Sequence, residues 1–407
     1  MTFTLQGVSR FALSVCVASA LLAGCGGSQP ISVPGALPQS RATSSHGYST
    51  LYSFGMPYDG QQPKAGLIDV NGTLYGTTYG GGKDGDGTVF SVSTTGNEKV
   101  LYSFRGNILS ASTDGANPSA GLLAVKGVLY GTTEYGGSGG TGEGTAVKIG
   151  MDGTEKVLHS FGPEPDGANP VASLVNVNGK LYGTTLNGGT SQFYGTVFRI
   201  STAGREKVLH SFAGFFDDGE NPTASLLDVN GTLYGTTHYG GQISGFGYGT
   251  VFALNTNGSQ ERVTYRFSPS SGGDYPLASL IEIDNMLYGT AAGGGVSGGG
   301  TAFKTGTGGG ISVLHGFGSG SDGSGPFAPL LYVRRKLYGT TAGGGAYGKG
   351  TVFTMSLSGK EKLLHSFGYG TDGATPLAGL IDVSGTLYGT TSAGGTYGDG
   401  TVFALKP

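Results

Sequence analysis

Ala172-Ser173-Leu174-Val175-Asn176-Val177-Asn178-Gly179-Lys180-Leu181-Tyr182-Gly183-Thr184-Thr185 is the stretch from which the architecture follows. Two short apolar runs, Ala172 to Val177 and Lys180 to Thr185, flank Asn178-Gly179. Both turn residues tolerate positive φ, so the pair predicts a β-hairpin closed by a two-residue type I′ turn. A glycine-rich loop leads on to a third strand, Thr196 to Ile200, and Ala203-Gly204 turns the chain into a fourth, Glu206 to Phe212. Four antiparallel strands in a unit of about 50 residues match one propeller blade.

The unit recurs along the chain. Leu-Tyr-Gly-Thr, or its close variant, begins at Leu74, Leu129, Leu181, Leu233, Leu287, Leu337 and Leu387, in steps of 50 to 55 residues. A Gly-Gly pair follows each copy, from Gly81-Gly82 to Gly394-Gly395, and then a strand like Gly-Thr-Val-Phe, starting at Gly87, Gly144, Gly195, Gly249, Gly300, Gly350 and Gly400. The chain ends complement each other. Leu51-Tyr52-Ser53-Phe54 corresponds to a fourth strand, whereas Gly400-Thr401-Val402-Phe403 is a third strand after which the chain stops at Pro407. An open solenoid would leave apolar faces exposed at both ends. The expected fold is therefore all-β, a seven-bladed propeller of four-stranded antiparallel blades over residues 48–407, its ring closed by the N-terminal strand.

Composition agrees. Of 407 residues 83 are glycine and 12% are charged, with no tryptophan, and no 3.6-residue apolar period follows the N-terminal segment. The net charge of −3 with scattered Lys and Arg leaves no basic stripe for nucleic acid. The N-terminus is different in kind. After Arg10 an apolar run extends from Phe11 to Ala23, too short to span a bilayer comfortably and the length of a signal-peptide core. It ends in Leu22-Ala23-Gly24-Cys25, which resembles the lipobox of bacterial lipoprotein signals. That resemblance implies removal of residues 1–24 and lipidation of Cys25, so that the mature chain is exported and held on a membrane by its N-terminal lipid. Gly26, where an aspartate would signal retention, implies the outer membrane if the host is Gram-negative. Cys16 lies in the removed segment, which leaves one cysteine and no internal disulfide. Residues 25–47, with prolines at 30, 34 and 38, read as a flexible tether.

Leu-Tyr-Gly-Thr-Thr, Gly-Gly, Gly-Thr-Val-Phe, Leu-His-Ser-Phe and Asp-Gly-x-x-Pro together resemble the GloVer tandem repeat of bacterial surface proteins with varied anchors. The resemblance covers about residues 48–407 and implies an exported, anchored protein; it implies no activity. The strand order and Gly-Gly are also similar to kelch propellers, although the characteristic kelch Trp is absent.

Chemistry is sparse. Asp-Gly-x-x-Pro starts at Asp59, Asp114, Asp166, Asp218, Asp322 and Asp372, and the fifth unit departs with Gly272-Gly273-Asp274-Tyr275-Pro276. Such a motif reads first as an Asx-type connector between blades rather than a ring of ligating carboxylates. His159, His210, His315 and His365 share one repeat position and read as strand-surface residues copied with the repeat. Asp84-Gly85-Asp86-Gly87 lacks the spaced ligands and terminal Glu of a calcium loop. No metal or cofactor is expected. Broken symmetry is where function would show, and the polar candidates are Glu134, Glu143, His238, Glu282 and the Arg334-Arg335 turn, none forming an evident acid–base pair. Aromatic residues in variable loops, Phe193, Tyr194, Phe215, Phe216, Phe246 and Tyr248, suit contact with a sugar or a protein partner, with loop packing as the plainer alternative. The expected function is that of a monomeric, lipid-anchored envelope module binding a polysaccharide or an envelope protein without catalysis. The alternative is a glycan-active propeller enzyme, a glycosidase or lyase.

Overall fold

The computed structural model describes residues 47–106, 113–138, 142–190, 193–214, 218–241, 247–268 and 272–407. The predicted signal, Cys25 and the tether up to residue 46 lie outside the described residues. The body consists of seven four-stranded antiparallel sheets, each followed along the chain by the next. In the third blade Val175–Val177, Lys180–Thr185, Thr196–Ser201 and Glu206–Ser211 pair in that order. Val177 stands opposite Lys180, and Asn178 and Gly179 have φ of 52° and 79°, as the type I′ turn requires.

The first strand is three residues long, shorter than the run Ala172 to Val177 suggested. The Ala172 carbonyl instead accepts the hydroxyl of Thr132 from the preceding blade, at 3.3 Å. The same bond recurs at every interface: Thr77 to Ala120, Thr184 to Ala224, Thr236 to Ala278, Thr290 to Ala328, Thr340 to Ala378 and Thr390 to Ala65. The last of these joins the seventh blade to the first.

Closure follows the expected route. Gly47–Ser53 pairs antiparallel with Thr401–Lys406 and completes the sheet of Ile381–Val383 and Thr386–Thr391. Two faces result. One carries the Asp-Gly connectors and the glycine-rich loops between second and third strands; the other carries the tight turns. On the first face the connector and the Gly-Gly pair form short ladders such as Gly167–Ala168 against Asn187–Gly188. Gly188 has φ of 85°, and a Cβ there would meet the Ala168 nitrogen at 2.6 Å.

The core lies between blades. Phe54, Phe161, Phe212, Phe267, Phe317 and Phe367, each at the outer end of a fourth strand, meet Phe90, Phe198, Phe252, Phe303, Phe353 and Phe403 of the next blade at ring distances of 5.0 to 5.2 Å, mostly edge to face. All are buried, and such pairs add about 0.5–1.5 kcal/mol to the burial of their area. At the remaining interface Phe104 packs with Val147 instead. The glycine of Leu-Tyr-Gly-Thr serves this ring within its own blade. Gly183 is the register partner of Phe198, and a Cβ on Gly183 would lie 2.6 Å from the Phe198 ring. The room it leaves is therefore filled from its own sheet, not from a neighbouring blade.

Candidate functional site

Seven segments of small residues, among them Ala65-Gly66, Ala172-Ser173 and Ala378-Gly379, surround the axis and enclose a central cavity of about 270 Å³. Its rim on the connector face departs from sevenfold symmetry. The repeat position just after Leu-Tyr-Gly-Thr-Thr is held by Tyr79, Glu134, Leu186, His238, Ala292, Ala342 and Ser392 in turn. Each amide donates to the carbonyl of the residue before a connector proline, namely Gln62, Asn117, Asn169, Asn221, Tyr275, Gly325 and Thr375. The side chains of Asn117, Asn169 and Asn221 reach back to the carbonyls of Tyr79, Glu134 and Leu186 on the blade before. Blades one to four thus present aromatic, amide and charged groups, and blades five to seven present small side chains at the same level, apart from Tyr275.

Two clusters stand on the polar half. Lys64 lines the cavity and its Nζ lies 3.1 Å from the centre of the Tyr79 ring, a cation–π contact. Burial lowers the Lys64 ammonium, and the Glu134 charge opposes that shift. Burial, then Glu134, raise the phenols of Tyr79 and Tyr135. On the fourth blade His238 stacks on Tyr239 at 3.9 Å and meets Tyr275 edge-on at 5.2 Å, with Tyr248 6.2 Å from Tyr275. Burial pulls His238 down to about 4, so its imidazole is neutral at pH 7.

Carboxylates gather elsewhere, between the outer strands. Each connector aspartate accepts the amide of the glycine directly after it, 2.7 Å for Asp166, one residue short of the amide an Asx turn engages. Its other oxygen accepts from the fourth strand of the preceding blade: Asp59 from Tyr52 at 2.9 Å, Asp114 from Tyr102 at 2.8 Å, and Asp166, Asp322 and Asp372 pair with His159, His315 and His365 at 2.8–2.9 Å. His210 lies 3.4 Å from Asp218. These histidines are thus half-buried clasp residues and not free on the strand surface. A glutamate from the next blade completes every group except that of Asp372. In His159–Asp166–Glu206, His210–Asp218–Glu261 and His315–Asp322–Glu361 the three ligand atoms lie within 4.8 Å of one another, a spacing a divalent cation would span. Neighbouring interfaces speak against a cluster built for metal. Tyr52 and Tyr102 replace the imidazole beside the same carboxylates, and Tyr48 stands where the glutamate would be at the seventh interface.

Of the loop aromatics, Phe193 is 67% exposed and borders a second cavity of about 280 Å³ with Glu143 and Glu164. Tyr194 packs on the core between blades three and four, as a loop-packing residue does, and Tyr248 belongs to the His238 cluster. Phe215, Phe216 and Phe246 lie outside the described residues. Glu282 accepts the Asn285 amide in a tight turn, and Arg334-Arg335 form the same kind of turn with φ of 51° and 62°, so both lie on the opposite face. Sequence reasoning singled out Glu134 and His238 but missed Lys64, Tyr79, Tyr135, Tyr239 and Tyr275. Comparison of the seven residues at each repeat position would have found them.

Fold and rim define a closed seven-bladed repeat propeller with one polar, aromatic sector around its axial opening. The chain belongs to the Gloeobacter/Verrucomicrobia repeat family, whose model matches residues 39–247, 138–330 and 242–407. No curated protein matches it. Among solved structures it is similar to a chain from a structural and mechanistic analysis of two prolyl endopeptidases, at 13% identity and a TM-score of 0.46, over 82% of this chain and 47% of that one. It is also similar to the gluconolactonase XC5397 from Xanthomonas campestris, at 15% identity and a TM-score of 0.37, over 64% and 78%. The chain thus spans about half the length of the peptidase chain.

Proposed function

We propose that the protein is a binding module of the cell envelope, held on a membrane through Cys25 and, in a Gram-negative host, on the outer membrane, and that its axial rim takes a polysaccharide. One observation carries this reading: the rim over blades one to four holds two polar clusters, Tyr79 and Tyr135 with Lys64 and Glu134 and, apart from them, Tyr239 with His238, while blades six and seven offer only Ala342 and Ser392 where Tyr79, Glu134 and His238 stand. Aromatic faces stack on sugar rings, and amide and charged groups bond hydroxyls. A ring of identical blades has no need to place these groups on one side.

The test is a thermal-shift and calorimetric screen of residues 26–407 against envelope and extracellular polysaccharides. A ligand at a hundred times its Kd stabilises by about 2.7 kcal/mol. Tyr79→Ala and Tyr239→Ala should each weaken binding about tenfold, the effect of removing a contact of about 1.4 kcal/mol. Binding that survives both substitutions would remove the rim from the account, and release of shortened sugars would favour the glycosidase or lyase reading. Palmitate labelling of the full chain, lost in Cys25→Ser, tests the anchor.

A further inference from the structure

The glutamates that complete the inter-blade groups sit in an unusual position. Glu98, Glu155, Glu206 and Glu261 each have one carboxyl oxygen that is buried and without a hydrogen-bond partner. Each faces the connector aspartate of the preceding interface: Glu98 faces Asp59, Glu155 faces Asp114, Glu206 faces Asp166 and Glu261 faces Asp218. Two ionised carboxylates so placed would repel, and a buried acceptor without a donor is costly. A proton on the glutamate removes both problems, because a carboxylic acid donates where a carboxylate only accepts.

Two departures in the repeat point the same way. At the interface between blades four and five the aspartate position is Gly272, and the glutamate position is Ile311, whose methyl group would touch a Cβ on that glycine. Loss of the acceptor goes with loss of the acid. At the interface between blades six and seven Asp372 is retained and Tyr48 takes the glutamate position, stacked 3.8 Å over His365 with its hydroxyl facing Asp372. A phenol is a neutral hydroxyl donor and a poor stand-in for an ionised carboxylate.

We propose that these glutamates hold a proton in the folded ring and donate it to the connector aspartates, so that the blades are joined by acid-stabilised clasps that loosen as the medium turns alkaline. The other groups facing them are Tyr52 for Glu98, Tyr102 and Arg105 for Glu155, His159 for Glu206, and His210 and Arg262 for Glu261. Burial first, then the aspartate charge, push Glu98, Glu155 and Glu206 up to about 7. A folded value above the unfolded one means that the ring binds more protons than the unfolded chain between the two. The contribution is whole below the ordinary glutamate range near 4.5 and is lost as pH rises through about 7.

The experiment follows melting of the full chain from about pH 5 to about pH 8.5, beside the triple variant Glu98→Gln, Glu155→Gln, Glu206→Gln. Glutamine keeps a donor at every pH. The wild type should lose several degrees across this range, and the variant should lose little and melt above the wild type at the alkaline end. Should the variant fail to fold, carboxyl carbon NMR of the unaltered, glutamate-labelled protein decides, with at least three glutamates titrating near neutrality. A flat wild-type profile, an equally steep variant, or glutamates that all titrate at ordinary values would overturn the proposal. So would a drop in melting temperature on adding EDTA at the alkaline end, since a cation and not a proton would then hold the carboxylates.

Discussion

Gly183→Ala and Gly131→Ala place the same methyl group at the same repeat position, and the structure assigns them different outcomes. Neither glycine has a positive φ, so alanine is tolerated by the backbone and removes unfolded-state freedom worth about 0.4–1 kcal/mol. Packing decides the sign. In blade three the new Cβ would stand 2.6 Å from the Phe198 ring and 2.9 Å from Leu174, both fixed in a buried core. Overpacking of this kind costs about 1–3 kcal/mol. In blade two the register partner is Val147, and the single neighbour within reach is Leu122 at 3.1 Å, a side chain end that can yield. Gly183→Ala should therefore lower the melting temperature by about 1–4 °C for a body of this size, and Gly131→Ala should leave it within about 1 °C. The cycle with Phe198→Val completes the test, because Val at 198 recreates the pairing of blade two. The double variant Gly183→Ala, Phe198→Val should be more stable than the sum of the single losses by about 1–2 kcal/mol. Equal losses at the two glycines, or strict additivity in the cycle, would refute the account of why Leu-Tyr-Gly-Thr carries a glycine.

Two further outcomes are expected. Thr390→Val removes the hydroxyl that bonds the Ala65 carbonyl and leaves a buried acceptor empty, so denaturant titration should show a loss of about 1–3 kcal/mol. His238, pulled down to about 4 by burial, favours the fold fully above its ordinary range near 6.5, and that contribution is lost as pH falls towards 4; nitrogen NMR at pH 6 should find a neutral imidazole, and an imidazolium there would contradict the burial described for it.

How far the sequence could be read depended on whether a feature was local or crossed between copies. Asn178-Gly179 announces its turn because two residues with positive φ suffice to fix it. The count of blades and the interlock of Leu51 with the last repeat are also legible, since both rest on landmarks along the chain. Where contact partners come from different strands or blades, the repeat gave less. The partner of Gly183 is a matter of register, and Phe198 emerges only once the second and third strands are aligned. His159, Asp166 and Glu206 lie within one span of sequence, yet their meeting depends on how far one blade is turned against the next. The rim was half visible: Glu134 and His238 break the repeat plainly, but Tyr79 and Tyr239 look like ordinary strand residues until the axis shows which way that position faces. The loop aromatics divided for the same reason, Tyr194 turning inward to the core and Phe193 outward to solvent.

The central claim is that Gly47–Ser53 completes the seventh blade, and hydrogen exchange tests it directly. The amides of this strand should be protected to the same degree as those of Thr401–Lys406, and both should lose protection together in a variant lacking residues 47–53, with a lower melting temperature for the whole body. Rapid exchange along the N-terminal strand, or an unaltered melt after its removal, would mean that the ring is closed in some other way.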